Sequence, residues 1–290
     1  MYNNTLGSKI FDTINAVILV IVAFTMLFPF FYVFAVSFSS VSDFLENDFL
    51  FWPKEWVTDA YEYIFSSDRF IRSLLVSIVI TVVGTAVNLF FTATMAYALT
   101  RAVIGQRAIL LMVIFTLLFH AGMIPTYMVV KATGLINSIW SLIIPVAISP
   151  YYLIIMRQFF LSIPDELKEA AIMDGANEIQ IFRKIILPLS KPALAAFGLF
   201  YAVTHWNSYF TGVLYISDPA KWPIQVILRQ IVIVNEPNAA LGANEMLQAM
   251  PPPVTVQMAA ILIATLPILI VYPFLQKHFA KGVMLGSVKG

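Results

Sequence analysis

The sequence predicts an all-α membrane protein with six transmembrane helices, and three observations carry that expectation. Only 11% of the 290 residues are charged while 60% are hydrophobic, against about 25% charged in soluble domains. Six long stretches contain no Asp, Glu, Lys or Arg, and each exceeds the roughly 20 residues a helix needs to cross the hydrocarbon layer. The Lys and Arg residues then fall unevenly on the two sides that these stretches define. In lipid the backbone must satisfy its own hydrogen bonds, so each stretch is expected to be a helix.

In chain order the uncharged stretches are Thr13–Ser42, Ser73–Thr100, Ala108–Val130, Ala132–Met156, Pro192–Ser217 and Met246–Gln276. They define one transmembrane domain over 1–290, with spans at about 13–38, 73–99, 108–130, 138–158, 192–216 and 256–276. The first follows Lys9 and Asp12, is too long for a signal-peptide core and has no small-residue cleavage site after it, so it reads as a retained helix. Ile224–Val234 is short and interrupted by Gln225, Arg229 and Gln230, which suits an interfacial or loop segment. Pro29, Gly122, Pro125, Pro145, Pro267 and Pro273 lie inside the stretches and are expected to bend them. Gly84, Ala86, Thr92, Ala93, Ala96 and Ala98 give the second span small residues for close packing.

With the N-terminus inside, eleven Lys and Arg lie inside and six outside, while Asp43, Glu46, Asp48, Glu55, Asp59, Glu62 and Asp68 all fall in the first outside loop. The positive-inside rule therefore places both termini in the cytoplasm, loop 161–191 inside, and loops 39–72 and 218–255 outside.

The net charge of +1 excludes the strong field of a nucleic-acid binder. With no cysteine there is no thiolate nucleophile or disulfide framework, and three isolated histidines argue against a metal site. No G-x-x-x-x-G-K-[ST], H-E-x-x-H or G-x-S-x-G motif is present. No span carries the Asp or Glu that relays protons or binds sodium in ion-coupled carriers. An ion-coupled secondary carrier and an intramembrane enzyme are the rival classes, and both lack their machinery. Uphill transport by this chain would draw its energy from another polypeptide.

Polar groups inside the spans are few: Asn88, His120, Thr204, His205, Asn207 and Ser208. For Asn88 and His120 an inter-helix hydrogen bond is the simpler reading. The run Thr204–Phe210, with His205, Trp206, Asn207 and Tyr209, combines aromatic faces with amide and hydroxyl groups. Such a set suits a hydroxyl-rich neutral ligand such as a sugar, and pathway lining and ordinary packing are evenly balanced for it.

The most polar passage between the spans is Glu169–Pro188, EAAIMDGANEIQIFRKIILP. Ser162 or Asp165 is placed to cap a helix through Leu167, Ala170, Ala171 and Met173. Asp174-Gly175 makes a turn, with Gly175 free to take positive φ. A second amphipathic helix is expected from about Asn177 to Leu187, with Pro188 and Pro192 separating it from the fifth span. The residues alone leave two readings, a solvated connector or a docking hairpin in which Ala170 and Ala171 permit close approach and Glu169 pairs with a partner's arginine.

The spacing Glu169-Ala170-Ala171, Gly175, Ile185, Leu187-Pro188 resembles the EAA loop of permease subunits of bacterial ABC importers, and these residues with Asp174 are the expected ATPase-coupling set. Trp206-Asn207 and the tail Lys281–Gly290 resemble signatures of the carbohydrate-uptake group, similar to the maltose-transporter G subunit. Gly122–Val130, Met250–Met258 and Pro273–Lys281 are most like its oligosaccharide, alginate and lipoprotein-named branch. The resemblance covers essentially the whole chain. It implies an ABC type I importer permease fold in a multi-pass subunit of the bacterial cell membrane, without catalysis of its own. It further implies a second permease subunit, two ATP-binding subunits that hold ATP and Mg, an extracytoplasmic solute-binding protein, and a sugar or oligosaccharide cargo. Glu169 and Gly175 then match the docking carboxylate and turn glycine, and Asn88, His205, Trp206, Asn207 and Tyr209 are candidates for the substrate pathway.

Overall fold

Helices account for the regular structure of the described residues, as apolar sequence in lipid requires. The computed structural model describes residues 6–40, 42–43, 51–102, 104–233, 241 and 251–286, with the backbone alone at 6, 272 and 274–286. In order the helices are α1 (Leu6–Ser37), α2 (Asp59–Phe65), α3 (Asp68–Ala98), α4 (Gln106–Leu118), α5 (Met123–Ala132), α6 (Pro150–Leu161), α7 (Asp165–Met173), α8 (Glu178–Leu189), α9 (Lys191–Trp206), α10 (Tyr209–Tyr215), α11 (Ile224–Val232) and α12 (Pro253–Gly286). The only extended pairing among the described residues is an isolated bridge between Ser39 and Trp56. Residues 41, 44–50, 234–240 and 242–250 of the two long loops, and 287–290 of the tail, lie outside the described residues.

The helices group into two compact units, 1–70 with 228–265 and 71–227 with 266–290. In the first, α1 keeps its helix through Pro29 and none of its most apolar window is buried. A helix apolar on every side and uncovered by its own chain calls for an apolar surrounding. At its C-terminal end Ala35 and Val36 pack against Val254 and Met258. Phe38 stacks on Tyr61 at 4.6 Å, and the Tyr61 hydroxyl meets Ser37 Oγ at 2.7 Å. The buried Asp43 carboxylate accepts the N–H groups of Lys54 (2.8 Å) and Glu55 (3.0 Å), fixing the start of the following loop.

The second unit holds the site. Helices α1, α3 and the first part of α12 are each long and apolar enough to cross a membrane alone, and two bent helix pairs reach that length together. The other three stretches differ from the continuous helices expected over 108–130, 138–158 and 192–216. The first is split between α4 and α5 by Phe119–Gly122, where Gly122 has φ 85° and Pro125 lies in the first turn of α5. The next consists of 3₁₀ turns Ile139–Leu142 and Ile144–Val146, followed after Ser149 by α6 at a bend of 51°. Pro145 and Pro150 bracket that break, each lacking an N–H for a continuing helix. The third is split at Asn207–Ser208 between α9 and α10. By contrast α3 begins at Asp68 and takes Asp68, Arg69 and Arg72 into its first turns, earlier than the expected 73. Ile224–Val232 is a regular amphipathic helix, with Ile224, Val226, Ile227 and Ile231 buried and Arg229 exposed.

Side chains from neighbouring helices satisfy the backbone at the 147–149 break. The Asn88 amide donates to the Val146 carbonyl, and its oxygen lies 2.6 Å from His205 Nε2. The Ser149 N–H donates to the Tyr201 hydroxyl at 3.2 Å, and that hydroxyl also meets Thr92 Oγ1 at 2.8 Å. Asn88, Thr92 and His205 are buried. Gly84 makes room for the His205 ring, because a Cβ there would lie 2.5 Å from Nε2. Gly84→Ala should therefore lower stability by about 1–3 kcal/mol, the usual cost of overpacking. Gly198→Ala, whose Cβ meets only Leu89 Cδ1 at 3.3 Å, should cost less. Thermal unfolding of both variants in detergent against the parent checks the difference, and equal melting temperatures for the two would refute it.

Candidate functional site

The polar passage folds as a helical hairpin, α7–turn–α8, seated on the main core of the second unit. Asp165 is the first residue of α7 and neither Ser162 nor Asp165 caps it; Pro164 occupies the cap position without a side-chain bond. Instead Asp165 takes a 2.7 Å ion pair from Lys168, and that hydrogen bond holds its carboxyl below the ordinary carboxylate range. The stem of Lys168 is buried against the protein, so only its amine needs a polar partner.

The turn is closed by two backbone bonds, Gly175 N–H to Ile172 O and Ala176 N–H to Ala171 O, both 2.9 Å. This pattern requires a left-handed residue after the helix, and Gly175 sits there at φ 81°. Asn177 then starts α8 with a capping box: its side chain accepts from Gln180 N–H and the Gln180 side chain accepts from Asn177 N–H, each at 2.9 Å. Phe182–Ile186 is a wide π-helical turn. It precedes Pro188, whose ring would press on the carbonyl four residues back in a regular helix. Chain direction then changes by 78° at Ser190 before α9.

The hairpin has two unlike faces. Ala171, Ala176, Ile181, Phe182, Ile185, Ile186 and Leu187 pack into the core with Ala93, Tyr97, Leu153, Met156 and Phe160. Glu169, Ala170, Asp174, Gly175 and Pro188 face outward. Of the residues the sequence singled out, Ala171, Ile185 and Leu187 thus seat the hairpin, and the others form its free face. Several apolar side chains of the hairpin are uncovered as well, among them Ile172 at 51% exposed, Met173 at 88% and Ile179 at 68%. The exposed side of the hairpin thus combines carboxylates with uncovered apolar side chains.

Sequence reading missed the joint between hairpin and α3. The Tyr97 hydroxyl donates to Glu178 Oε2 at 2.6 Å, and an Arg101 guanidinium nitrogen reaches the same oxygen at 3.0 Å and the Tyr97 oxygen at 2.9 Å. Burial lowers the Arg101 pKa, but the Tyr97 bond and the Glu178 charge outweigh it and leave the group above its ordinary value. In the sequence Arg101 is one of eleven inside Lys and Arg residues, and Glu178 is one polar residue of the second expected helix. Their separation along the chain hid the pairing.

Among the pathway candidates, Asn88 and His205 are hydrogen-bonded to each other and buried. Trp206 is buried at an apolar cavity of about 200 Å³, lined also by Ile78, Val82, Leu199, Pro267 and Val271. Asn207 is exposed at the α9–α10 break, its amide bonded back to Val203 O at 2.8 Å, and Tyr209 opens α10 half-buried. No cluster of three or more potential metal ligands occurs among the described residues.

Residues 103–285 match the family model described as the binding-protein-dependent transport system inner membrane component. The chain is 52% identical over 289 residues to Protein LplC of Bacillus subtilis, covering 99% of this chain and 98% of that one. It is 50% identical over 285 residues to the polygalacturonan/rhamnogalacturonan transport system permease protein YtcP of the same organism, covering 98% and 99%. A chain in the crystal structure of a bacterial ABC transporter involved in the import of the acidic polysaccharide alginate superposes with a TM-score of 0.88 at 34% identity, over 96% of this chain and 100% of that one.

The hairpin geometry gives a direct test. Asn177→Ala removes the cap and should destabilise α8 by about 1 kcal/mol. Amide exchange over Asn177–Leu187 should accelerate while α3 stays protected; unchanged exchange would contradict the capping role.

Proposed function

The chain belongs to the family of binding-protein-dependent transport system inner membrane components, and from that membership we propose that it is the permease subunit of a heteromeric ATP-driven importer of a sugar or oligosaccharide. Members of the family are transport permeases, non-catalytic multi-pass membrane subunits. In the proposed assembly it crosses the bacterial cell membrane six times with both termini in the cytoplasm. It pairs with a second permease, docks two ATPase subunits that bind ATP and Mg, and receives cargo from an extracytoplasmic binding protein.

The observation that carries this reading is the α7–α8 hairpin. Its inner face is locked into the core and its outer face presents Glu169, Asp174 and the Gly175 turn beside Ile172, Met173 and Ile179. A solvated connector has no use for a group of uncovered apolar side chains; a docking surface does. The uncovered apolar length of α1 likewise accords with lipid and a second permease around it. Carbohydrate cargo is favoured by similarity to YtcP and to the alginate importer chain.

In the proposed cycle ATP binding closes the ATPase pair, the hairpin moves with it, and the broken spans shift from inward-open to outward-open. Such a change needs contacts that differ between the two states. Trp206, Asn207, Tyr209, His205 and Asn88 remain our candidates for groups near the pathway, with Trp206 and Tyr209 offering stacking faces and Asn207 an exposed amide.

Glu169→Arg should abolish co-purification of the ATPase subunits and uptake together, with membrane insertion intact. Gly175→Pro removes the N–H bonded to Ile172 and forbids φ 81°. It should leave the subunit inserted but uncouple hydrolysis from uptake; normal uptake by this variant would sink the hairpin's role. Alanine at Trp206 and Asn207 should change uptake of oligosaccharides, such as polygalacturonan fragments, without changing ATPase docking. Unaltered uptake across several oligosaccharides would remove both from the pathway.

A further inference from the structure

The free face of the hairpin accounts for docking but not for how movement there would reach the membrane helices. α7 follows α6 directly and α8 leads into α9, but α3 adjoins neither in sequence. The cytoplasmic-side end of α3 nevertheless meets the hairpin through a closed triangle of side chains. Tyr97 OH to Glu178 Oε2 is 2.6 Å, Arg101 to Glu178 Oε2 is 3.0 Å, and Arg101 to Tyr97 OH is 2.9 Å. The guanidinium carbon also stands 5.2 Å from the Tyr97 ring centroid, and that ring packs on Phe182 of α8 at 4.8 Å and Phe160 of α6 at 6.4 Å. Just beyond α3 the Leu99 carbonyl takes bonds from Arg157 Nε of α6 (2.8 Å) and Gln106 Nε2 of α4 (2.6 Å).

We propose that Tyr97, Arg101 and Glu178 form a clamp that passes the hairpin's motion to α3. The inference rests on the hairpin being the ATPase coupling element. Arg101 is 29% exposed and Glu178 59%, and an ion pair so open to water contributes little to stability. The triangle's value is therefore directional. Two charged groups and one hydroxyl tie the start of α8 to the end of α3 at a single point, and the Tyr97 ring packs beside it on Phe182 of α8. Glu178 is also the first residue of α8, where a carboxylate is favoured by the helix dipole, so the charge that holds the clamp also suits its own helix. Tyr97, Arg101 and Glu178 are positioning residues; none is assigned a contact with cargo or ATP.

The test uses the full importer with its second permease and ATPases, reconstituted in vesicles. Uptake is divided by ATP hydrolysed and both are normalised to assembled complex. Glu178→Gln keeps size and shape, and should lower uptake per ATP by roughly fivefold or more, the lower range of site-to-site coupling, with the ATPases still bound. Tyr97→Phe should act in the same direction. Arg101→Glu and Glu178→Arg should each uncouple, and the double charge swap should restore much of the ratio. A merely structural pair would lower the amount of complex, and uptake and hydrolysis in parallel, leaving the ratio unchanged; that outcome overturns the clamp. So does a charge swap no better than its singles in complexes of normal yield. Glu169→Arg runs alongside. If it releases the ATPases while Glu178→Gln keeps a normal ratio, the clamp fails and the docking reading stands. If it leaves docking and uptake unchanged, the docking reading itself fails and the clamp falls with it.

Discussion

A backbone carbonyl or N–H left unpaired in hydrocarbon costs several kcal/mol, and among the described residues three of the apolar stretches are interrupted. The break at 147–149 shows how the cost is avoided. Its carbonyl at Val146 is taken by Asn88 and its N–H at Ser149 by Tyr201. Those two side chains are themselves held, Asn88 by His205 and Tyr201 by Thr92. Gly84 is then required, because His205 comes so close to α3 that no Cβ fits. One interruption thus dictates four polar side chains and one glycine on two other helices. Burial of polar groups that would otherwise be unfavourable is explained by the backbone they serve.

The same region leads without a gap to the hairpin. Tyr201 and Phe197 of α9 belong to the core that includes Tyr97, Phe160, Ile181 and Ile186. The seat of α8, the end of α3 and the start of α6's continuous helix therefore share one packed body. Protein interiors are dense and weakly compressible, so a displacement imposed at one edge is passed on rather than absorbed. This is why the division of the hairpin into a seated face and a free face matters. The free face can gain or lose a partner without repacking, whereas the seated face cannot move alone.

Local chemistry made much of the hairpin legible. Asp174-Gly175 announces a left-handed turn, and Gly175 adopts it. Asn177 followed three residues later by Gln180 is a capping box visible in sequence, although the expected cap fell on Ser162 or Asp165 of the preceding helix. Runs of uncharged residues located α1, α3 and α12, because hydropathy reports length in lipid directly. Continuity was less legible. Pro29 leaves α1 helical while Pro145 and Pro150 bracket a break, since the outcome depends on whether neighbours can satisfy the freed groups. Asn88 and Tyr201, distant in sequence, supply those groups. The Tyr97–Arg101–Glu178 triangle was hidden for the same reason.

In the proposed cycle the placement of the breaks gives the seated hairpin its mechanical meaning. It is flanked by α6, which joins the preceding 3₁₀ turns at 51°, and by α9, which leaves α8 at 78° and ends at the Asn207–Ser208 interruption. A continuous helix attached to a moving hairpin would have to tilt along its whole length, disturbing contacts on the far side of the membrane. A broken one allows the part nearest the hairpin to move with it while the part beyond the break stays with its own neighbours. The hydrogen bonds at the 147–149 break then set, in the proposed cycle, how much rotation is permitted, because each ties a backbone group at the break to α3 or α9. In the proposed cycle the polar side chains that make the break affordable in lipid are also the ones that limit its range.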